Sequence, residues 1–122
     1  MYIITMELQI GESYLFHTIT NKSFTSTVIS LTEKSVSCNV LGESSITCMP
    51  LEFIQNSFCL SSLIPGNRYT FFTHDRSFDA NFIDILEKNK RQTLRVDNMN
   101  SDKFPNCVHT MSLFTVKKIK ML

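Results

Sequence analysis

The chain of 122 residues has no tryptophan, three glycines, three prolines and one alanine, Ala80. Its glycines are too few and too far apart to form the glycine-rich loops that hold nucleotide phosphates. A helical protein would draw on alanine, the best helix former, whereas serine and threonine supply 26 residues here and favour strands, turns and caps. The composition therefore predicts a mostly β protein and excludes the common nucleotide-binding motifs.

Metal ligands at recognisable spacings are also missing. No Cys-x-x-Cys pair occurs, and the histidines do not complete a zinc-ligand pattern with the four cysteines, Cys38, Cys48, Cys59 and Cys107. We therefore expect reduced, half-buried cysteines on strands, no bound metal and no cofactor.

Long apolar runs and a secretion signal are absent as well. No stretch of about 18 apolar residues occurs, as a membrane-spanning helix needs. The segment Met1–Met6 lacks a basic flank and a cleavage site of small residues. The formal net charge is only +1. These features predict an intracellular protein with no membrane contact and no strong overall attraction to polyanions.

Catalytic patterns are equally scarce. The chain shows no nucleophile with a neighbouring base and no paired carboxylates placed for acid–base chemistry. His17 and His74 fall on or beside strands, which is more typical of half-buried structural positions than of catalytic ones. We expect the protein not to be an enzyme.

What the chain does contain is an internal repeat. The segment from Gly11 to Thr18 matches the segment from Gly66 to Thr73 in the pattern Gly-x-x-Tyr-x-Phe-x-Thr. The match continues to Glu33-Lys34 and Glu87-Lys88 and resumes near the end of each copy, with residues 46–51 opposite 108–113. The pattern predicts a duplication with a period near 55 residues.

Each copy shows short strand-like segments separated by turn-forming residues. The first copy predicts strands at 14–20, 24–31, 35–41 and 45–49, and the second at 69–73, 78–86, 93–96 and 107–111. A one-turn helix is expected at 50–53 and at 112–115, with a last strand beginning at Ile54 and at Val116.

Five strands with such a turn, in about 55 residues, resemble the SH3-like barrels, among which the Tudor family is used in tandem for binding. Small OB-like or Sm-like barrels would give much the same pattern. The resemblance implies an all-β fold of two tandem five-stranded SH3-like barrels from an internal duplication. We place the first barrel at residues 1–56 and the second at residues 57–122.

Aromatic residues are the first candidates for binding. Tudor-type barrels present aromatic rings as a cage for methylated lysine or arginine, held by cation–π attraction. Aromatics at equal positions of both copies are more typical of a barrel core. The candidates are Tyr14, Phe16, Tyr69 and Phe71, with the two tyrosines the more accessible pair.

Charge divides unevenly between the copies. Residues 1–65 carry a net charge of −3 and residues 66–122 one of +4. A basic patch for phosphate is predicted at the longer hairpin of the second copy, and more lysines follow at the C-terminus. The hairpin candidates are Lys88, Lys90, Arg91 and Arg95, and the C-terminal lysines are Lys117, Lys118 and Lys120.

These patterns favour a non-catalytic binding or assembly module that recognises another protein through the barrel loops. The bias toward residues with AT-rich codons resembles that of an AT-rich genome, such as that of a giant DNA virus or a protist parasite, and it concerns origin and not function. One alternative function is a minor structural component of a virion. Met1–Met6 would then support self-association by strand addition. The other alternative is nucleic-acid binding through the basic face of the second copy.

Overall fold

The computed structural model describes residues 8–40, 45–89, 91–100 and 107–122. These residues form ten β-strands and three short 3-10 turns, without an α-helix, and so confirm the all-β prediction. The strands are β1 (Ser13–Thr18), β2 (Ser23–Leu31), β3 (Ser35–Val40), β4 (Ile46–Pro50), β5 (Ile54–Cys59), β6 (Arg68–Thr73), β7 (Ser77–Lys88), β8 (Arg91–Asp97), β9 (His109–Ser112) and β10 (Val116–Met121).

The strands form two antiparallel sheets of five, in the orders β4-β3-β2-β1-β5 and β10-β6-β7-β8-β9. We call each sheet, with the 3-10 turn before its last strand, a unit. That turn is Leu51–Phe53 in the first unit and Leu113–Thr115 in the second. Only these three residues separate strands at opposite edges of one sheet, so each sheet must curl until its edges come near each other.

The prediction of barrels is met only in part. The sheets are strongly curled, but no ladder among the described residues joins β4 to β5 or β9 to β10. The outer strands β4 and β9 are only five and four residues long, so little backbone is available to close the sheet. Each unit is therefore an open five-stranded antiparallel sheet.

The two sheets share their register as well as their strand order. Both second strands carry an irregularity at the same point, after Val28 in β2 and after Phe82 in β7. The shared register is seen in two matching sets of cross-strand partners: Phe16↔Phe24 with Phe71↔Phe78, and Thr18↔Ile54 with Thr73↔Val116.

The repeated glycine and tyrosine build the turn that leads into each sheet. Gly11 and Gly66 have φ values of 91° and 88°, which side-chain-bearing residues rarely adopt. The tyrosine hydroxyl three residues later reaches back to this turn. The Tyr14 hydroxyl accepts from the Gln9 backbone nitrogen at 2.7 Å. The Tyr69 hydroxyl accepts from the Ile64 nitrogen at 2.9 Å and donates to the Ser62 carbonyl at 3.2 Å.

The repeated phenylalanine and threonine are structural too. Phe16 and Phe71 are fully buried in the two cores. The Thr18 hydroxyl donates to the Lys22 carbonyl at 3.3 Å, and the Thr73 hydroxyl donates to the Arg76 carbonyl at 3.0 Å, so each closes the hairpin loop that follows it. All four positions of the repeated pattern therefore hold the backbone or fill the core.

Removing the tyrosine hydroxyls tests this role. Tyr69→Phe removes two hydrogen bonds at a buried site, and we expect a loss of about 1–3 kcal/mol in the free energy of unfolding. Tyr14→Phe, which removes one hydrogen bond, is expected to cost less. Urea denaturation followed by circular dichroism measures both. Stabilities equal to that of the unaltered protein for both variants would contradict the assignment.

Each unit has its own apolar core, but strand β1 contributes to both. Tyr14 and Phe16 point into the first core, whereas Leu15 lies in the second core with Tyr69 and Phe71. All five residues from Tyr14 to Thr18 are buried, although side chains on a strand alternate between its two faces. Strand β1 is therefore covered on both faces, by its own core and by the second unit.

Further contacts join the units around Leu15. Phe58 in β5 and Leu60 in the 3-10 turn Leu60–Ser62 pack against the second core. The Thr25 hydroxyl donates to the side-chain oxygen of Gln92 at 2.5 Å. The predicted boundary between residues 56 and 57 falls inside β5, which pairs with β1 as far as Cys59. The connecting segment is thus part of the packing.

Leu15→Ala tests the shared core. We expect a loss of about 2–5 kcal/mol, the usual cost of truncating a fully buried leucine, because Leu15 is only 2% exposed. Thr70→Ala is the matched control, since Thr70 holds the corresponding ladder position in β6 and is only half-buried. Thermal unfolding measures both. An equal, small effect of the two substitutions would show that Leu15 does not support the second core.

Candidate functional site

The structure places all four predicted aromatic residues in the cores. Tyr14, Phe16, Tyr69 and Phe71 are each 3% exposed or less. Their rings contact other rings, as between Tyr69 and Phe71 with centroids 6.2 Å apart. No face of these rings is open to a methylated side chain, so the core interpretation fits and the surface-anchor interpretation does not. A binding surface must be sought where the two units differ.

The basic hairpin between β7 and β8 is exposed at its tip. Lys88 and Arg91 are cross-strand partners, and both are exposed. Lys90, also predicted for this patch, lies outside the described residues. The first unit has a shorter hairpin, in which Glu33 and Lys34 connect Thr32 to Ser35 and the Thr32 nitrogen donates to the Ser35 carbonyl.

Arg95 does not belong to the free basic patch. Its guanidinium makes two contacts to the Asp84 carboxylate, Nε to Oδ1 at 2.6 Å and Nη2 to Oδ2 at 2.5 Å. This hydrogen-bonded pair lowers the pKa of Asp84 and raises the pKa of Arg95. The predicted site residue Arg95 is therefore compensated by a neighbouring carboxylate.

The outer faces of the two sheets, opposite their own cores, differ most. On the first sheet this face carries Leu15, with ladder partners Thr25 and Phe58, and the second unit covers it. The corresponding positions on the second sheet are Thr70, with ladder partners Asp79 and Lys120. Apolar contact residues of the first face are thus replaced by polar and charged residues on the second.

The second outer face is open to solvent. Lys118 and Lys120 are exposed on β10, and Phe72 is half-buried beside them on β6. The Lys118 ammonium lies over the Phe72 ring, 5.7 Å from its centroid. Arg68, the first residue of β6, adds a third cation. Its guanidinium donates to the Asn81 side-chain oxygen at 3.2 Å. Asp79 also lies on this face and accepts from the Thr70 hydroxyl at 2.6 Å.

We call Phe72, Lys118 and Lys120 the β6–β10 patch. The three predicted C-terminal lysines differ in exposure, because Lys117 is half-buried whereas Lys118 and Lys120 are exposed. Lys117 and Lys118 both line a cavity of about 70 Å³ at the junction of the units, with Leu15 and Phe58. Phe72 and Phe114 were not singled out by sequence reasoning. The signal that could have found them is the set of positions at which the two copies of the repeat differ.

A shallow groove adjoins the basic hairpin. Its volume is about 380 Å³, and its lining residues come from β8, from the end of β9 and from the following 3-10 turn: Arg91, Gln92, Thr93, Ser112 and Phe114.

His17 is a buried histidine at the junction of the units. Its Nδ1 lies 2.7 Å from the Ser23 hydroxyl, and its ring centroid is 5.8 Å from that of His74. Burial lowers the pKa of His17, and the nearby His74 and, to a smaller degree, Lys117 lower it further, against a hydrogen bond that the imidazole donates to Asn21, which raises it. The neutral imidazole is therefore the form that the folded protein favours.

The lowered pKa of His17 predicts acid sensitivity. In the unfolded chain its pKa is about 6.5. Because the folded-state pKa is lower, the unfolded state binds the proton more readily, and stability falls as pH drops below about 6.5. His17→Gln should flatten this part of the profile, and His74→Gln should flatten it less. Urea midpoints between pH 5 and pH 8 measure the effect, and an unchanged profile for His17→Gln would contradict it.

Within residues 8–40, 45–89, 91–100 and 107–122, no group of three or more histidine, cysteine or acidic side chains could hold a metal ion. The four cysteines are free thiols, and Cys48 and Cys107 are exposed. No helix in this part of the chain has the length and apolar character needed to cross a bilayer.

No known protein family, curated protein or solved structure matches this chain. The function is therefore inferred from the geometry of the described residues. This geometry defines a protein of two curled five-stranded sheets in contact with each other, with an open, lysine-bearing face on the second sheet.

Proposed function

We propose that this protein is a non-catalytic binding module that recognises an acidic surface of another protein through the β6–β10 patch. The observation that supports it is the contrast between the two outer faces. Leu15 and Phe58 of the first sheet are packed against the second unit. At the equivalent positions of the second sheet stand Thr70 and Lys120, which solvent or a charged partner can reach.

The chemistry of the patch indicates the kind of partner. Lys118 and Lys120 are two residues apart on one strand, so their side chains leave the same face about 7 Å apart. Two such ammonium groups beside a half-buried phenylalanine suit a partner with paired carboxylates and some apolar contact. The small number of cations favours an acidic protein surface over a nucleic-acid backbone, which gains affinity from many phosphate contacts.

We further propose that the two units arose by duplication of one SH3-like unit. The shared strand order, the matching bulges and the common register support this origin. After the duplication, the outer face of the first copy became buried in the contact between the units. The outer face of the second copy stayed exposed and available to a partner.

Charge reversal tests the patch. We expect Lys118→Glu with Lys120→Glu to weaken capture of the partner by at least about tenfold, because complementary charge becomes repulsive. The tagged protein is used to capture partners from its native cell extract at low and high salt, and both bound protein and bound nucleic acid are identified. Binding of the captured partner to purified protein is then measured by titration.

The matched control is Lys22→Glu with Lys34→Glu, which reverses two exposed lysines of the first unit. It carries the same change in net charge and should keep the partner. Equal loss in both double variants would indicate a general charge effect and would contradict the assignment. Capture of nucleic acid only, or of further copies of this chain only, would also overturn it.

A further inference from the structure

We propose that the groove beside the β7–β8 hairpin binds a nucleoside phosphate, either as a free nucleotide or as one unit of a single-stranded nucleic acid. The groove is lined by Arg91, Gln92, Thr93, Ser112 and Phe114. This surface is distinct from the β6–β10 patch and does not depend on the function proposed above.

The first observation is an uncompensated pair of like charges. Lys88 and Arg91 are directly opposite each other on neighbouring strands, an arrangement that is destabilising for two cations. Four residues further along β8, Arg95 has Asp84 opposite it and forms a two-bond ion pair. Asp84 thus neutralises Arg95, whereas Arg91 faces Lys88. An anion bound at Arg91 would relieve this repulsion.

The second observation is the set of polar groups in the groove. The Gln92 side-chain oxygen already accepts from Thr25, which leaves its amide NH₂ group as a donor. The Ser112 hydroxyl oxygen accepts from the Phe114 nitrogen at 3.3 Å, and its hydrogen is left for another acceptor. With the Arg91 guanidinium and the Thr93 hydroxyl, the lining offers several donors, a composition that suits phosphate oxygens.

The third observation is the aromatic ring at the other side of the groove. Phe114 lies in the 3-10 turn Leu113–Thr115 and is only half-buried. In the first unit the corresponding residue of the turn Leu51–Phe53 is Glu52. A base stacks on an exposed aromatic ring largely irrespective of its identity. Phosphate donors and a ring within one groove fit a nucleoside phosphate better than inorganic phosphate.

The first unit gives an internal comparison. Its hairpin is shorter and closes at Glu33 and Lys34, so it offers no counterpart to the Lys88–Arg91 pair. Its 3-10 turn begins after Pro50 and carries Glu52, where the groove has Ser112 and Phe114. The groove is therefore particular to the second unit. Glu87 is the ladder partner of Gln92 and does not line the groove.

The experiment measures binding of three probes to the full chain: thymidine monophosphate, a fluorescent eight-nucleotide oligo(dT), and inorganic phosphate. We expect Arg91→Glu to weaken binding of the nucleotide probes at least about tenfold, with a salt dependence that becomes shallower. Phe114→Ala should weaken it at least about fivefold by loss of stacking, and Phe114→Trp should restore it. Circular dichroism and urea midpoints check that each variant is folded.

The matched control is Lys34→Glu, which reverses a charge at the hairpin of the first unit and should leave binding unchanged. Binding of both nucleotide probes supports a site for the nucleotide unit itself, and binding of oligo(dT) alone supports a site for a strand. Equal affinity for inorganic phosphate, or affinity unaffected by Arg91→Glu and by Phe114→Ala, would overturn the proposal. None of these outcomes decides the result of the charge reversal at Lys118 and Lys120, which tests a different surface.

Discussion

The burial of strand β1 on both faces is the constraint on which the rest of the molecule depends. A strand in a small antiparallel sheet usually has one face toward its core and one toward water. Here Tyr14 and Phe16 fill the first core while Leu15 enters the second, so the two units form one packed body. The position of β5, the bond from Thr25 to Gln92 and the burial of His17 all follow from this contact.

The same constraint separates structural residues from candidate functional ones. The pattern Gly-x-x-Tyr-x-Phe-x-Thr is repeated because each unit needs the same turn, the same hydroxyl bonded to it, the same core ring and the same hairpin closure. The proposed binding surfaces use positions that the fold leaves free to differ. Phe72 and Lys120 stand where the first unit has His17 and Phe58, and Phe114 stands where it has Glu52.

Much of the fold could be predicted from the sequence, because alternation and turn residues are local signals. The segment Asn81–Asn89 has an apolar content that could suggest a helix, yet its alignment with the first copy indicated a strand, and it lies in β7 and the loop after it. Less of the candidate site could be predicted from the sequence. Whether Tyr14 is exposed, or whether Arg95 meets Asp84, depends on which strands are neighbours, and single-chain periodicity does not encode that.

The sequence by itself determined the two sets of five strands, their turns and the unequal charge of the halves, since these follow from residue type and spacing along the chain. Only the tertiary structure decided that Leu15 would be covered and Thr70 left open. Side chains at i and i+2 share a face of a strand whatever the fold, but burial of that face requires a second layer. The second unit supplies that layer for the first sheet, and the outer face of the second sheet is left exposed.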